Sequence, residues 1–159
     1  MRASRAAWLL AGLGVAGLDV AAAARAGAAA CTLHVEPTRG AGVTLELPLP
    51  PAREFTLSYL HSVTRTWVHE TLQADGGGLV QRRIAWSVPG PGLPTEALPG
   101  ERFERTADGF VIDGMQRRIE RLAMRVDPQQ QQTLEVAGHR HPLATAGPAA
   151  LVLEARGCD

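Results

Sequence analysis

The side chains best suited to chemistry cluster in one short stretch, where Tyr59, His61, Ser62 and Glu70 stand close together in the chain. A phenol, an imidazole and a carboxylate on one surface can hold a polar ligand, or can satisfy one another as a buried hydrogen-bonded network. A serine beside a histidine suggests a nucleophile and its base. Ser62 directly follows His61, however, and adjacent strand residues point to opposite faces. His61 therefore cannot serve Ser62 as a base in regular strand geometry, and the sequence offers no catalytic residue. The expectation is a protein that is not an enzyme.

The flanking pattern predicts how these residues are positioned. Phe55, Leu57, Tyr59 and His61 alternate with polar residues, and so do Val68, Glu70 and Leu72. Two such runs joined by a short connection read as an antiparallel hairpin. A register with a tight turn at Thr64-Arg65 sets Tyr59 opposite Glu70, His61 opposite Val68 and Leu57 opposite Leu72. A slip by one residue would scatter the apolar set. Neither turn residue is Gly or Asn, so a four-residue loop from Val63 to Thr66 is the other option, with the same facing. Either way Tyr59, His61 and Glu70 share the apolar face, with His61 and Glu70 as diagonal neighbours. A structural network and a ligand site both remain open for the trio.

Other constellations are weaker. Pro89-Gly90-Pro91-Gly92-Leu93-Pro94, followed by Glu96, is a stiff, exposed loop. It reads either as a crossing between sheets or as a preorganised surface for a partner. His139 and His141 alternate on one strand face, and with His34 they fall short of a metal site. Arg117, Arg118, Arg121 and Arg125 alternate with acids and read as a solvated face. All 16 basic residues are arginine and the formal charge is zero. Without lysine there is no P-loop lysine and no Schiff base, and without a basic excess there is no nucleic-acid footprint. No cofactor and no metal are expected.

Around these residues the chain alternates with period two almost everywhere. Strand-like runs fall at 55–62, 66–74, 79–87, 101–106, 109–112, 118–126, 133–136 and 150–156, with further runs near 31–35 and 44–47. Turn signals separate them, among them Asp75-Gly76-Gly77-Gly78, Asp108-Gly109, Asp113-Gly114, Asp127-Pro128 and Ala137-Gly138. Helical spacing also fits 115–126, although a strand is preferred there. The expected fold is all-β, a single antiparallel β-sandwich of about ten short strands over residues 31–159.

Residues 1–30 differ in composition. Arg2 and Arg5 precede an uncharged apolar run from Ala6 to Leu18, then an alanine-rich tail. This is the layout of a signal peptide, or of an N-terminal membrane-targeting segment if it stays uncleaved, and it predicts export to the periplasm or the outer face of the inner membrane. Without it the chain carries 13 arginines against 15 carboxylates, a net charge of −2. Cys31 and Cys158 open the first strand-like run and follow the last. Outside the cytoplasm they read first as a disulfide joining those strands, although lipidation of Cys31 and two free thiols are alternatives.

The run Phe55-Thr-Leu-Ser-Tyr59-Leu-His61-Ser62-Val63, then Val68-His-Glu70, and the later Gly90-Pro91-Gly92-Leu93-Pro94 with Glu96 carry a resemblance. Together they resemble the bacterial family catalogued as domain of unknown function 1850, over roughly residues 33–155. Here Pro91 separates glycines between which the family usually carries a small residue. The resemblance implies an exported protein associated with TAXI-type TRAP solute transporters, and it implies no reaction. The leading expectation is a non-enzymatic accessory or binding module that partners a membrane transporter subunit. The alternative is a periplasmic ligand-binding or hydrolytic domain using Tyr59, His61 and Glu70. Filled space around the trio would favour the first, and a concave pocket floored by it the second.

Overall fold

A computed structural model describes residues 31–40, 42–143 and 147–158. The segment read as a signal peptide, residues 1–30, lies outside them. The described residues form eleven strands: β1 (Thr32–Arg39), β2 (Leu45–Pro48), β3 (Glu54–Leu60), β4 (Trp67–Asp75), β5 (Gly78–Trp86), β6 (Arg102–Thr106), β7 (Gly109–Ile119), β8 (Leu122–Val126), β9 (Thr133–Val136), β10 (His139–Pro142) and β11 (Ala149–Arg156). They form two antiparallel sheets, four strands in the order β2-β1-β11-β8 and seven in the order β10-β9-β3-β4-β5-β7-β6. The all-β sandwich expected from the alternation is the fold.

Alternation works as expected along most strands. β3 turns Phe55 and Leu57 inward, and β4 turns Val68, Leu72 and Ala74 inward. β11 is apolar at consecutive positions, with Leu151, Val152 and Leu153 all buried. It lies in the middle of the smaller sheet, paired with β1 on one side and β8 on the other. The first and last strands thus pair antiparallel, Thr32 opposite Arg156, and the Cys31–Cys158 disulfide closes their ends with Cα atoms 4.4 Å apart.

Two turn expectations need correction. Asp113-Gly114 does not end a strand, because β7 runs through it as a bulge opposite Arg82 of β5. Gly114 absorbs the irregularity at φ 73°, a conformation that costs glycine little. Val111, Ile112 and Met115 on either side remain buried, so pairing resumes. The run 118–126 is likewise not one strand. The chain leaves the larger sheet after Ile119 and enters the smaller one at Leu122.

Seven strands facing four leave part of the larger sheet without an opposing sheet. The buried side chains divide accordingly. One cluster joins both sheets, with Leu33, Phe55, Leu57, Leu72, Leu134, Leu151 and Leu153 among its members. A smaller cluster, Val68, Ile84, Trp86, Ile112 and Met115, belongs to the larger sheet alone. Leu93 and Ala97 pack on it from the β5–β6 connection. The proline-rich loop therefore does not cross between sheets, since β5 and β6 lie in the same one. It acts as a lid where the second layer is missing. Glu101 fastens its far end, accepting two 2.8 Å bonds from Arg117 and one from the Leu98 amide. This pairing holds the Glu101 carboxyl below its ordinary range.

Opening the disulfide tests how much the fold depends on its closed ends. The bridge spans 127 residues, for which the chain-entropy account gives up to ~5 kcal/mol. The double variant Cys31→Ser with Cys158→Ser should melt well below the wild-type protein, and reductant should lower only the wild-type melting temperature. Equal melting of all forms would show that β1–β11 pairing suffices alone.

Candidate functional site

The β3–β4 hairpin positions the chemistry-bearing residues, but in a register two residues from the tight-turn expectation. Tyr59 lies opposite Val68, and Glu70 opposite Leu57. Neither Thr64 nor Arg65 suits a two-residue primed turn. The chain makes a wider one: the Arg65 amide donates to the His61 carbonyl, and Arg65 takes a left-handed φ of 55°. A shift by two preserves facing, so Tyr59 and Glu70 share the inner face as predicted. They are diagonal rather than direct neighbours.

On that face the Tyr59 hydroxyl donates to Glu70 Oε1 at 2.8 Å, and the Gln81 amide donates to Oε2 at 2.7 Å. Tyr59 touches both hydrophobic clusters, so the network sits at the seam between them. Burial raises the Glu70 pKa, and its two donors offset part of that effect. Burial and the adjacent Glu70 carboxyl hold the Tyr59 phenol far above its ordinary range. Beside the pair lies an open cavity of about 240 Å³, lined also by Leu57, Leu122, Met124, Arg125, Gln130 and Gln132. A larger hollow of about 690 Å³ by Arg39 and Arg125 contains none of the predicted site residues.

His61 takes no part in this network. The expected His61–Glu70 contact is absent because Gln81 fills that role and the wider turn carries His61 beyond the strand. Its Nδ1 accepts from the Thr64 amide at 3.2 Å, and its Nε2 lies 3.0 Å from the Pro91 carbonyl. An amide can only donate and a carbonyl can only accept, so the ring is neutral with its proton on Nε2. His61 thereby binds the hairpin tip to the proline-rich loop. Within that loop the Leu93 amide donates to the Gly90 carbonyl and Gly92 has φ 82°. This is the pattern of a type II turn, in which Pro91 suits the second position and Gly92 the third. A Cβ on Gly90 would lie 2.7 Å from Thr64 Cγ2 and 3.2 Å from His61 Cε1. Only glycine lets the two loops approach this closely. Leu93 and Pro94 are half-buried, whereas Ser62 and Glu96 are exposed.

The opposite face of the hairpin holds a pair missed in the sequence. Ser58 lies directly across from His69, with Oγ 2.8 Å from Nδ1. The tight-turn register puts Thr71 opposite Ser58, which hides the pair. Ser58 is only 8 % exposed, so its hydroxyl fixes the imidazole rather than facing solvent as a nucleophile. His139 and His141 lie on β10, and His34 lies on β1 in the other sheet, within 3.7 Å of Glu46.

Two variants test this arrangement. Glu70→Ala strands the Tyr59 and Gln81 donors and should cost ~1–3 kcal/mol in thermal or chemical melting. Glu70→Gln should keep the fold. With the Glu70 pKa raised, the folded state binds the proton more tightly, so wild-type stability falls as pH rises through the folded-state value. Acidification from neutrality toward 4.5 should therefore raise wild-type stability relative to Glu70→Gln. A constant difference across that range would contradict a buried, proton-seeking carboxyl. For the loops, Gly90→Val should break the His61–Pro91 contact and speed proteolysis within 87–101, and unchanged cleavage would show that the contact holds nothing in place.

No curated protein and no solved structure matches the chain. A family model does, over residues 55–143, a span that takes in the hairpin, the proline-rich loop, the β7 bulge and the β9–β10 hairpin. The segments that carry the resemblance fall inside it, so the chain belongs to the family described as a domain of unknown function (DUF1850).

Proposed function

We propose that this protein is an exported, non-enzymatic accessory module that docks on a membrane transport component. The docking end is the hairpin tip together with the proline-rich loop. One observation carries the reading. His61 joins the segments that hold the two most distinctive motifs, which stand far apart in sequence, into one preformed surface. Val63, 65 % exposed, is next to Thr64 in that contact, and Val88, 44 % exposed, lies two residues before Gly90. Isolated exposed apolar residues are ordinary, but two flanking a rigid joint suit a contact surface. Export is supported by the composition of residues 1–30 and by the Cys31–Cys158 bond, since disulfides persist in oxidising compartments. The choice of a TAXI-type TRAP transporter rests on the family resemblance alone.

The ligand-binding alternative draws on the cavity beside Glu70. It is weaker, because Tyr59 and Glu70 are satisfied by each other and by Gln81, and His61 is committed elsewhere.

Tagged protein isolated from native membranes after mild cross-linking should bring down an integral membrane transport subunit. Val63→Glu should reduce that recovery at least tenfold while its melting temperature stays within a degree or two of wild type, since Val63 is exposed. Equal recovery with Val63→Glu, or no transport subunit with the wild-type protein, would refute the proposal.

A further inference from the structure

The outer face of the larger sheet carries a second site, distinct from the His61 joint between the loops. Ala85 of β5 lies between His69 of β4 and Val111 of β7. Its small side chain leaves a trough of about 310 Å³ in the sheet surface. Trp67 and His69 form one wall, their rings 14° from parallel with centroids 6.1 Å apart. Arg83 of β5 and Ser87 just past its end flank Ala85, and Thr106 at the end of β6 and Asp108 in the β6–β7 turn border the trough. The volume is at the low end of the roughly 300–1,000 Å³ usual for small-molecule sites, which suits one small ring.

We propose that this trough is a saccharide site that takes a neutral sugar ring. Aromatic faces pack against the C–H groups of a sugar, and donors and acceptors around them bind its hydroxyls. The trough supplies both: the Trp67 ring, the Asp108 carboxylate, the Arg83 guanidinium, and the Ser87 and Thr106 hydroxyls. Ser58 holds His69 through Nδ1, and Nε2 has no hydrogen-bond partner among the described residues. The charges favour a neutral ligand. Arg83 is already paired with Asp113 at 3.5 Å, so it does not demand an anion. Burial, aided by the Arg140 charge and opposed by Glu135, lowers the His69 pKa and favours its neutral form.

The test is NMR titration of the full chain with a panel of neutral sugars: glucose, galactose, mannose, N-acetylglucosamine, maltotriose and cellotriose. At least one should give saturable amide shifts at His69, Ala85 and Val111. Trp67→Ala should weaken binding at least tenfold. If that variant misfolds, Ala85→Leu, which fills the trough floor, should weaken binding equally. Val63→Glu, outside the trough, should bind as wild type. The proposal fails if no sugar in the panel gives saturable shifts there. It also fails if the trough variants bind unchanged.

Discussion

The pairing of β3 with β4 is the constraint on which the other features depend. Leu57 opposite Glu70 and Ser58 opposite His69 fix what each face of the hairpin presents. Inward, that register brings the Tyr59 hydroxyl to the Glu70 carboxyl at the seam between the two hydrophobic clusters. Outward, it locks His69 against Ser58 and sets the aromatic wall of the trough. At the tip, the wider turn releases His61 from the strand and lets its ring reach Pro91. A tight turn would have left His61 on the sheet and the proline-rich loop without its anchor at that end.

The mismatch between the sheets explains why that loop matters. A strand face with apolar residues such as Ile84, Trp86 and Ile112 must be covered. Four strands cannot cover seven, so residues 87–101 supply cover through Leu93 and Ala97. The loop is then held at both ends, by His61 at one and by the Glu101–Arg117 pair at the other. Pro89, Pro91, Pro94 and Pro99 lower the entropy lost in fixing it. A structural duty and a surface duty thus coincide in one segment: its inner side completes the core, and its outer side faces solvent rigidly.

Much of this was legible in the sequence because period-two alternation determines which residues share a face. Alternation puts Tyr59 and Glu70 on the core side, and a shift of two residues does not disturb that. The Cys31–Cys158 bond was legible as the first of three readings, because antiparallel pairing of the first and last strand-like runs would bring the two cysteines together. The exact partners were not legible. They depend on the left-handed conformation of Arg65, a residue type that rarely signals it. Gln81 as the second donor to Glu70 was hidden for a related reason, since the Arg82 bulge in β5 changes which β5 residues turn inward. The Asp113-Gly114 bulge reads like a turn because glycine with positive φ serves both.

The hairpin tip and the proline-rich loop form one preformed unit joined by a neutral His61. Nitrogen-15 NMR of the imidazole, combined with hydrogen exchange at the Thr64 amide, addresses it most directly. A single neutral tautomer protonated at Nε2 and a Thr64 amide protected from exchange are expected. An Nδ1-protonated ring, or a Thr64 amide exchanging as fast as free peptide, would contradict it.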